Sequence, residues 1–171
     1  MDRRSVLRGQ YAFAHEMLEG TIKKCPLELL TKSIEGSLTN PIGATYAHAV
    51  ITEDLLLVRW LQNREPVFEE GNWGAKVGME LPQSAMVTPE WAKSVRFELE
   101  PMRAYAAAVR ATVDGFIDRA PDSDLLSEVD FGPSKQPKLS VLGTLGVLHV
   151  SSHQGEMAAL LGLKGITGQT V

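Results

Sequence analysis

His149-Val150-Ser151-Ser152-His153 ends an apolar, proline-free run that starts at Val141, and it contains two of the four histidines in the chain. On a helix, residues four apart lie on one face, with Cβ atoms about 5–6 Å apart. Imidazole nitrogens bind a divalent ion at roughly 2.0–2.1 Å, so both rings can reach the same ion. The spacing therefore predicts a pair of metal ligands that needs at least one more ligand. The alternative is a pair of polar rings on a partly buried helix.

The composition indicates a globular domain. The 171 residues are enough to bury a substantial core, so we expect a single domain over residues 1–171. A net charge of −4 argues against a nucleic-acid-binding surface. The chain has no run of about 18 apolar residues, which argues against a membrane span. Its one cysteine, Cys25, excludes an intrachain disulfide framework and fits a reducing cytosol, so we expect a cytoplasmic protein.

Apolar residues recur at helical spacing in four long segments, and strand signals are weak throughout. The second segment has a strong start signal, because Asn40 can cap the helix and Pro41 suits its first turn. The four predicted helices cover approximately residues 3–24, 41–62, 99–119 and 139–162. This pattern predicts an all-α fold, a four-helix bundle, in which metal sites are built from inward-facing side chains.

Two long irregular connections separate the predicted helices. Residues 63–87 are rich in Gly and Pro, and loops of this length inside compact domains are usually functional. Residues 120–138 combine Pro and Gly with acidic side chains and are predicted to form a second surface loop. Between them, Thr88 is expected to cap a short helical piece that begins at Pro89.

The third metal ligand is open between two histidines. A di-iron carboxylate bundle needs Glu-x-x-His on two helices, and no histidine here has a glutamate three residues before it. A zincin needs His-Glu-x-x-His, whereas Val150 follows His149. The remaining candidates are His15 and His48, which both lie on apolar helix faces, so periodicity does not separate them. For His15 the alternative is a hydrogen-bonded histidine on the inner face of the first helix.

Two motifs resemble signatures of the DinB-like (damage-inducible B) superfamily. Asn40-Pro41-Ile42-Gly43-Ala44-Thr45-Tyr46-Ala47-His48, followed by Glu53-Asp54, resembles the second-helix signature. His149-Val150-Ser151-Ser152-His153-Gln154-Gly155-Glu156 resembles the last-helix signature, and Leu160–Gly165 resembles the way that helix ends. The resemblance implies a four-helix bundle that binds one divalent metal ion, usually zinc or nickel, through His48, His149 and His153.

The acidic residues near these histidines have two interpretations each. Glu156 follows His153 by three residues and shares its face, so we predict that it orients a histidine or a bound water; a capping or surface glutamate is the alternative. Glu53 and Asp54 do not share the face of His48 and are interpreted as solvated or helix-packing charges, with orientation of a metal ligand as the weaker alternative. Cys25 is predicted to be a small buried apolar residue rather than a ligand.

Three histidine ligands leave a coordination position open, which is typical of catalytic sites. The resemblance implies an enzyme, since its relatives include bacillithiol and mycothiol S-transferases. We therefore expect a metal-dependent transferase that joins a low-molecular-weight thiol cosubstrate to a small-molecule electrophile. The alternatives are a metal-dependent hydrolase with Glu156 as proton acceptor, and a non-catalytic metal-binding stress-response protein. The resemblance also makes a homodimer an expectation.

Overall fold

Four long helical rods form the body of the protein. The computed structural model describes residues 2–33, 38–82 and 84–168. The rods are α1 (Arg3–Ile22), α3 (Ile42–Thr52) with its π-helical continuation π1 (Glu53–Trp60), α7 (Leu99–Arg119), and a terminal helix made of α9 (Lys138–Gly143), the π-helical segment π2 (Thr144–His149) and α10 (Val150–Gly162). This architecture confirms the predicted all-α helical bundle.

Shorter elements connect the rods. They are α2 (Leu27–Leu30), α4 (Val67–Glu70), α5 (Trp73–Val77), α6 (Pro89–Ser94), α8 (Asp122–Leu125), β1 (Glu128–Phe131) and β2 (Ser134–Pro137). The two connections that were predicted to be irregular therefore contain short helices. No helix in the described part of the chain is long and apolar enough to cross a membrane.

The rods pack in a square. Helix α1 contacts α10 and α7, and the rod formed by α3 and π1 contacts the same two neighbours, so α1 and α3 lie on a diagonal. The inward faces of all four rods supply the largest fully buried side chains: Tyr11, Leu18, Ile22, Tyr46, Ile51, Leu57, Met102, Tyr105, Ile117, Leu142, Met157 and Leu161. This core fixes the α3–α10 edge, where the histidine motifs lie, and the α1–α7 edge on the opposite side.

The terminal helix packs closely against α1 at one glycine. A Cβ atom on Gly146, in π2, would lie 2.7 Å from Cε2 of the Tyr11 ring and 3.4 Å from Cδ1 of Leu57. Only glycine leaves the tyrosine ring enough room at this position. The contact thus fixes the depth of π2 in the bundle, immediately before His149.

The helix starts agree with the sequence in one case and differ in another. Thr88 caps α6 as predicted, because its Oγ1 accepts a hydrogen bond from the backbone N–H of Trp91. The prediction that Asn40 caps the second rod is wrong. Pro41 occupies the cap position with an extended backbone (ψ 146°), its carbonyl accepts from the N–H of Thr45, and α3 begins at Ile42.

A small antiparallel hairpin was not expected from the sequence. Strands β1 and β2 pair in a register that places Phe131 opposite Ser134, and Gly132 adopts a positive φ of 63° in the turn. Each strand has only four residues, too few for alternation to stand out. The Phe131 ring stacks on Trp60 at a centroid distance of 6.2 Å, so the hairpin is anchored to the end of π1.

Candidate metal centre

Three imidazole rings converge at the α3–α10 edge. The Nε2 atoms of His149 and His48 are 3.3 Å apart, and those of His153 and His149 are 3.1 Å apart. One nitrogen of each ring lies within 4.8 Å of the other two. The structure therefore brings together the three histidines that the resemblance selected, and His15 is not among them.

These separations fit a single metal ion. Ligand atoms at 2.0–2.1 Å in a tetrahedral site lie roughly 3.3–3.4 Å from one another. The nitrogen–nitrogen distances of 3.1 and 3.3 Å are close to that edge length. Among the residues that the structure describes, the group contains no carboxylate and no thiol. Cys25, which is buried elsewhere, is thus not a member, in agreement with the prediction.

The backbone arranges these rings by simple helix geometry. His48 lies in α3, His149 is the last residue of π2, and His153 lies one turn later in α10. Because α10 packs against α3, the paired rings of the terminal helix face the single ring of α3. The ring centroids are 4.4–5.1 Å apart and the ring planes are close to perpendicular.

The electrostatics of the group favour uncharged ligands. Burial, together with the neighbouring charge of His153, lowers the pKa of His48 to about 4. Burial and the other two histidines lower the pKa of His149 to about 4 as well. Both rings are therefore neutral near pH 7 and offer a lone pair for coordination, which a protonated imidazole cannot do.

In two of the three rings, the Nδ1 atom, which lies away from the converging Nε2 atoms, has a hydrogen-bonding partner. If Nε2 presents its lone pair to a metal ion, Nδ1 carries the proton and needs an acceptor. The Nδ1 of His153 lies 2.8 Å from Oε2 of Glu156, and the Nδ1 of His48 lies 3.3 Å from Oγ1 of Thr52. The Nδ1 of His149 is buried and has no partner among the described residues. The contact of Glu156 is the one its predicted orienting role requires, and that role stays a prediction.

Thr52 was not predicted to be a site residue. Its hydroxyl has a different hydrogen-bonding partner from the hydroxyls of two other helical threonines. In α1 and α7, Thr21 and Thr112 each donate to the carbonyl four residues earlier, at 2.9 and 3.0 Å. In α3, the Thr52 hydroxyl instead contacts the His48 ring. The available signal was the four-residue spacing, which places Thr52 one turn after His48 on the same face.

The fourth histidine occupies a different environment. The Nδ1–H of His15 donates to the carbonyl of Tyr11 at 2.8 Å, and Nε2 lies 2.8 Å from Oε2 of Glu53. His15 is 5% exposed and Glu53 is 2% exposed. The interpretation of His15 as a hydrogen-bonded histidine on the inner face of α1 is confirmed.

Of the two interpretations of Glu53 and Asp54, solvated charges or helix-packing charges, the first is wrong and the second is confirmed. Both are buried, and they serve the alternative role of packing between helices. The carboxylate of Asp54 accepts hydrogen bonds from the backbone N–H groups of Val67 and Phe68 and from the Tyr105 hydroxyl. The two backbone donors lie at the start of α4, a short helix inside a connection that was predicted to be irregular. Their position was not visible in the sequence.

Comparison with known proteins assigns the family. The profile of the DinB superfamily matches residues 10–157, which include parts of all four rods and the three converging histidines. The chain belongs to the DinB superfamily. A conserved protein from Enterococcus faecalis, known from its crystal structure, shares this DinB fold with a TM-score of 0.76. That alignment covers 95% of this chain and 99% of the other at 20% identity, so it shows the fold alone. A comparison with curated proteins gives no significant match.

Proposed function

We propose that His48, His149 and His153 bind one divalent metal ion, zinc or nickel. The convergence of their Nε2 atoms at 3.1 and 3.3 Å carries this proposal. Without a cation, the nitrogen lone pairs of three neutral imidazoles at such distances would repel one another. A cation bound among them removes this repulsion. A bound divalent ion would supply a Lewis acid that lowers the pKa of a coordinated water or thiol.

The residues of the chain prepare the site for such an ion. Burial holds His48 and His149 in the neutral form at physiological pH. Glu156 accepts from Nδ1 of His153 and Thr52 from Nδ1 of His48, so both ring orientations are fixed before a ligand arrives. Three nitrogen ligands leave at least one coordination position for a small molecule.

We further propose that the protein is a thiol S-transferase. The thiol sulfur would attack an electrophilic carbon of the acceptor, forming a carbon–sulfur bond, while the leaving group departs with the bonding electrons and the thiol proton passes to solvent. The resemblance to the DinB-like superfamily, whose members include bacillithiol and mycothiol S-transferases, supports this reaction, together with a three-histidine group that contains no protein thiol.

The position of Glu156 favours transfer over hydrolysis. A hydrolase would need a base beside the nucleophilic water, and Glu156 was the candidate for that role. Its carboxylate is held at Nδ1 of His153, on the side of the ring away from the point where the three Nε2 atoms converge. A thiol is acidic enough to ionise beside a metal ion without such a base, whereas an ester hydrolase usually relies on one.

The test combines metal analysis with a thiol-dependence assay. Purified protein should contain one metal ion per chain and should consume chlorodinitrobenzene only when a thiol such as cysteine or bacillithiol is added. His149→Ala should abolish both properties, whereas Cys25→Ala should retain them. Turnover of an ester without thiol would instead support a hydrolase, and bound metal without turnover in either assay would support a non-catalytic protein. Absence of bound metal after incubation with zinc or nickel would overturn the proposal.

A homodimer and a cytoplasmic location stay predictions. Neither follows from the geometry of the site.

A further inference from the structure

A cavity opens on the α1–α7 edge, on the opposite side of the bundle from the three histidines. Its volume is about 320 Å³, and it is lined by residues of α1, α7 and the α3–π1 rod. We call it the α1–α7 cavity and define it by His15, Glu19, Glu53, Glu100, Arg103 and Arg110. This volume lies at the lower end of the range for small-molecule sites.

The sequence of α7 explains why the space is open. Between Arg103 and Arg110 the helix presents Ala104, Ala106 and Ala107 to the cavity. Methyl side chains are too small to fill the gap between α7 and α1. Arg103 and Arg110 lie at the two ends of this small-residue segment. The walls are completed by apolar side chains of the facing rods, among them Leu18.

The floor of the cavity is the buried pair formed by His15 and Glu53. Both ring nitrogens of His15 are engaged, one by the Tyr11 carbonyl and the other by Glu53, so the ring has no free nitrogen to act as a base on a ligand. The second oxygen of Glu53, Oε1, is buried and has no hydrogen-bonding partner in the described structure. The floor is thus polar and its imidazole ring is fully hydrogen-bonded, which suits binding rather than catalysis by His15.

The two ends of the cavity carry opposite charge. At one end, Arg103 lies between Glu19 and Glu100, with contacts of 2.9–3.1 Å, so two carboxylates share one guanidinium. At the other end, Arg110 is half-buried and makes no hydrogen bond or ion pair with any residue that the structure describes. Arg103 and Arg110 are seven residues apart on α7, which corresponds to about 10 Å along the helix axis.

We propose that the α1–α7 cavity binds a small zwitterion whose charges are about 10 Å apart. The carboxylate of the ligand pairs with Arg110, because guanidinium groups recognise carboxylates in a bidentate manner. The ammonium group lies at the end where Glu19 and Glu100 leave an excess negative charge. The alanine wall contacts the apolar body. A short peptide meets these requirements, since three extended residues span roughly 10 Å.

Other ligand classes fit the cavity less well. A simple anion would be repelled by the two carboxylates at the Arg103 end. A metal ion has no suitable donor set, because the group of potential metal ligands found among the described residues consists of the three histidines at the opposite edge. The site is therefore independent of the proposed metal-dependent chemistry.

Titration calorimetry with tri-L-alanine tests the proposal on the full-length chain. The peptide should bind with one-to-one stoichiometry. N-acetylation or C-terminal amidation of the peptide should each weaken binding at least tenfold, because each removes one of the two charges. Arg110→Gln should weaken binding to a similar extent, and Ala107→Leu should block it by filling the cavity. Arg119→Gln, a change on the exposed part of the same helix, should leave affinity unchanged.

Three results would overturn the proposal. One is the absence of binding to a folded wild-type chain, and another is equal affinity for the amidated peptide. The third is loss of binding in His149→Ala, which would place the ligand at the three-histidine group. A failure of metal binding in that same variant, with peptide binding retained, would bear on the proposed metal centre and not on this site.

Discussion

Two histidine environments in one bundle differ in what faces the ring. His15 faces a carboxylate, and His48 faces two further imidazoles. Burial alone lowers the pKa of His15, but the charge and hydrogen bond of Glu53 outweigh it, so the net shift is upward. No carboxylate among the described residues hydrogen-bonds to His48 or His149, and burial lowers their pKa values to about 4. A carboxylate partner thus raises the pKa of the buried His15, whereas the partly buried His48 and His149 stay neutral near pH 7 and are potential ligands.

Two histidine–carboxylate contacts in the protein form a matched pair, because they have the same length and differ in burial. His15–Glu53 and His153–Glu156 each join a ring nitrogen to a carboxylate oxygen at 2.8 Å. The side chains of the first pair are 6% and 3% exposed, and those of the second are 18% and 59% exposed. Equal geometry at unequal burial separates a contact inside the core from a contact at the surface, where Glu156 is predicted to orient the His153 ring.

The largest expected effect is the loss of metal in His149→Ala. His149 lies within 3.3 Å of both other ligand nitrogens, so its removal leaves two ligands that cannot complete a site. Metal content measured after dialysis should fall from one equivalent to none, while the helical circular dichroism spectrum stays unchanged. Retention of one tightly bound ion by this variant would contradict the three-histidine assignment.

The second effect is on stability and uses the matched pair. Glu53→Ala leaves the buried His15 ring without its carboxylate partner, so the free energy of unfolding should fall by about 1–3 kcal/mol. Glu156→Ala removes an exposed partner at the same distance and should change it by less than about 1 kcal/mol. Chemical denaturation of the metal-free proteins measures both. Equal losses would show that burial does not distinguish the two contacts.

The third effect concerns the ring orientation of His48. Thr52→Val removes the hydroxyl beside Nδ1 without changing the shape of the side chain, and loss of such a partner typically weakens metal affinity 10- to 100-fold. Thr52→Ser should restore most of the affinity, measured by competition with a chelator. Thr112→Val is the control, since that hydroxyl bonds its own helix in α7. Affinity that is unchanged in Thr52→Val would remove the threonine from the site.

The fourth effect is the opposite pH response of the two environments. In the metal-free protein, the lowered pKa values of His48 and His149 mean that the unfolded state binds more protons, so stability falls as pH drops from about 6.5 to 4. For His15 the pKa is raised, so its contribution is complete below about 6.5 and declines as pH rises through the folded value. Histidine NMR titrations should give midpoints on either side of 6.5, and coincident midpoints would contradict both directions.

The sequence predicted those parts of the structure that depend on one helix alone. The bounds of α7 agree with the prediction of residues 99–119, and the four-residue spacing of His149 and His153 placed their rings on one face. The choice between His15 and His48 depended on which side chain faces each ring from another helix, and periodicity contains no such information. The family resemblance supplied it.

Features that depend on neighbouring elements were not predictable in this way. The burial of Glu53 and Asp54 required a histidine from α1 and backbone donors from α4. The hairpin was missed because its strands have four residues each and draw their support from the Trp60 ring. Thr52 could have been proposed from spacing, but nothing in the sequence distinguishes it from threonines that bond their own backbone.

The two π-helical segments have a consequence for how this chain tolerates insertion and deletion. A π segment accommodates an additional residue within a continuous helix, because its hydrogen bonds run from residue i to i+5. Deleting one residue from Thr144–His149 would restore regular α-helical pitch and leave Val141 and Leu142 close to their present orientation, whereas deleting one residue from the regular helix between His149 and His153 would rotate the two rings by about 100° relative to each other. The terminal helix is therefore expected to tolerate a one-residue deletion before His149 better than a deletion between His149 and His153.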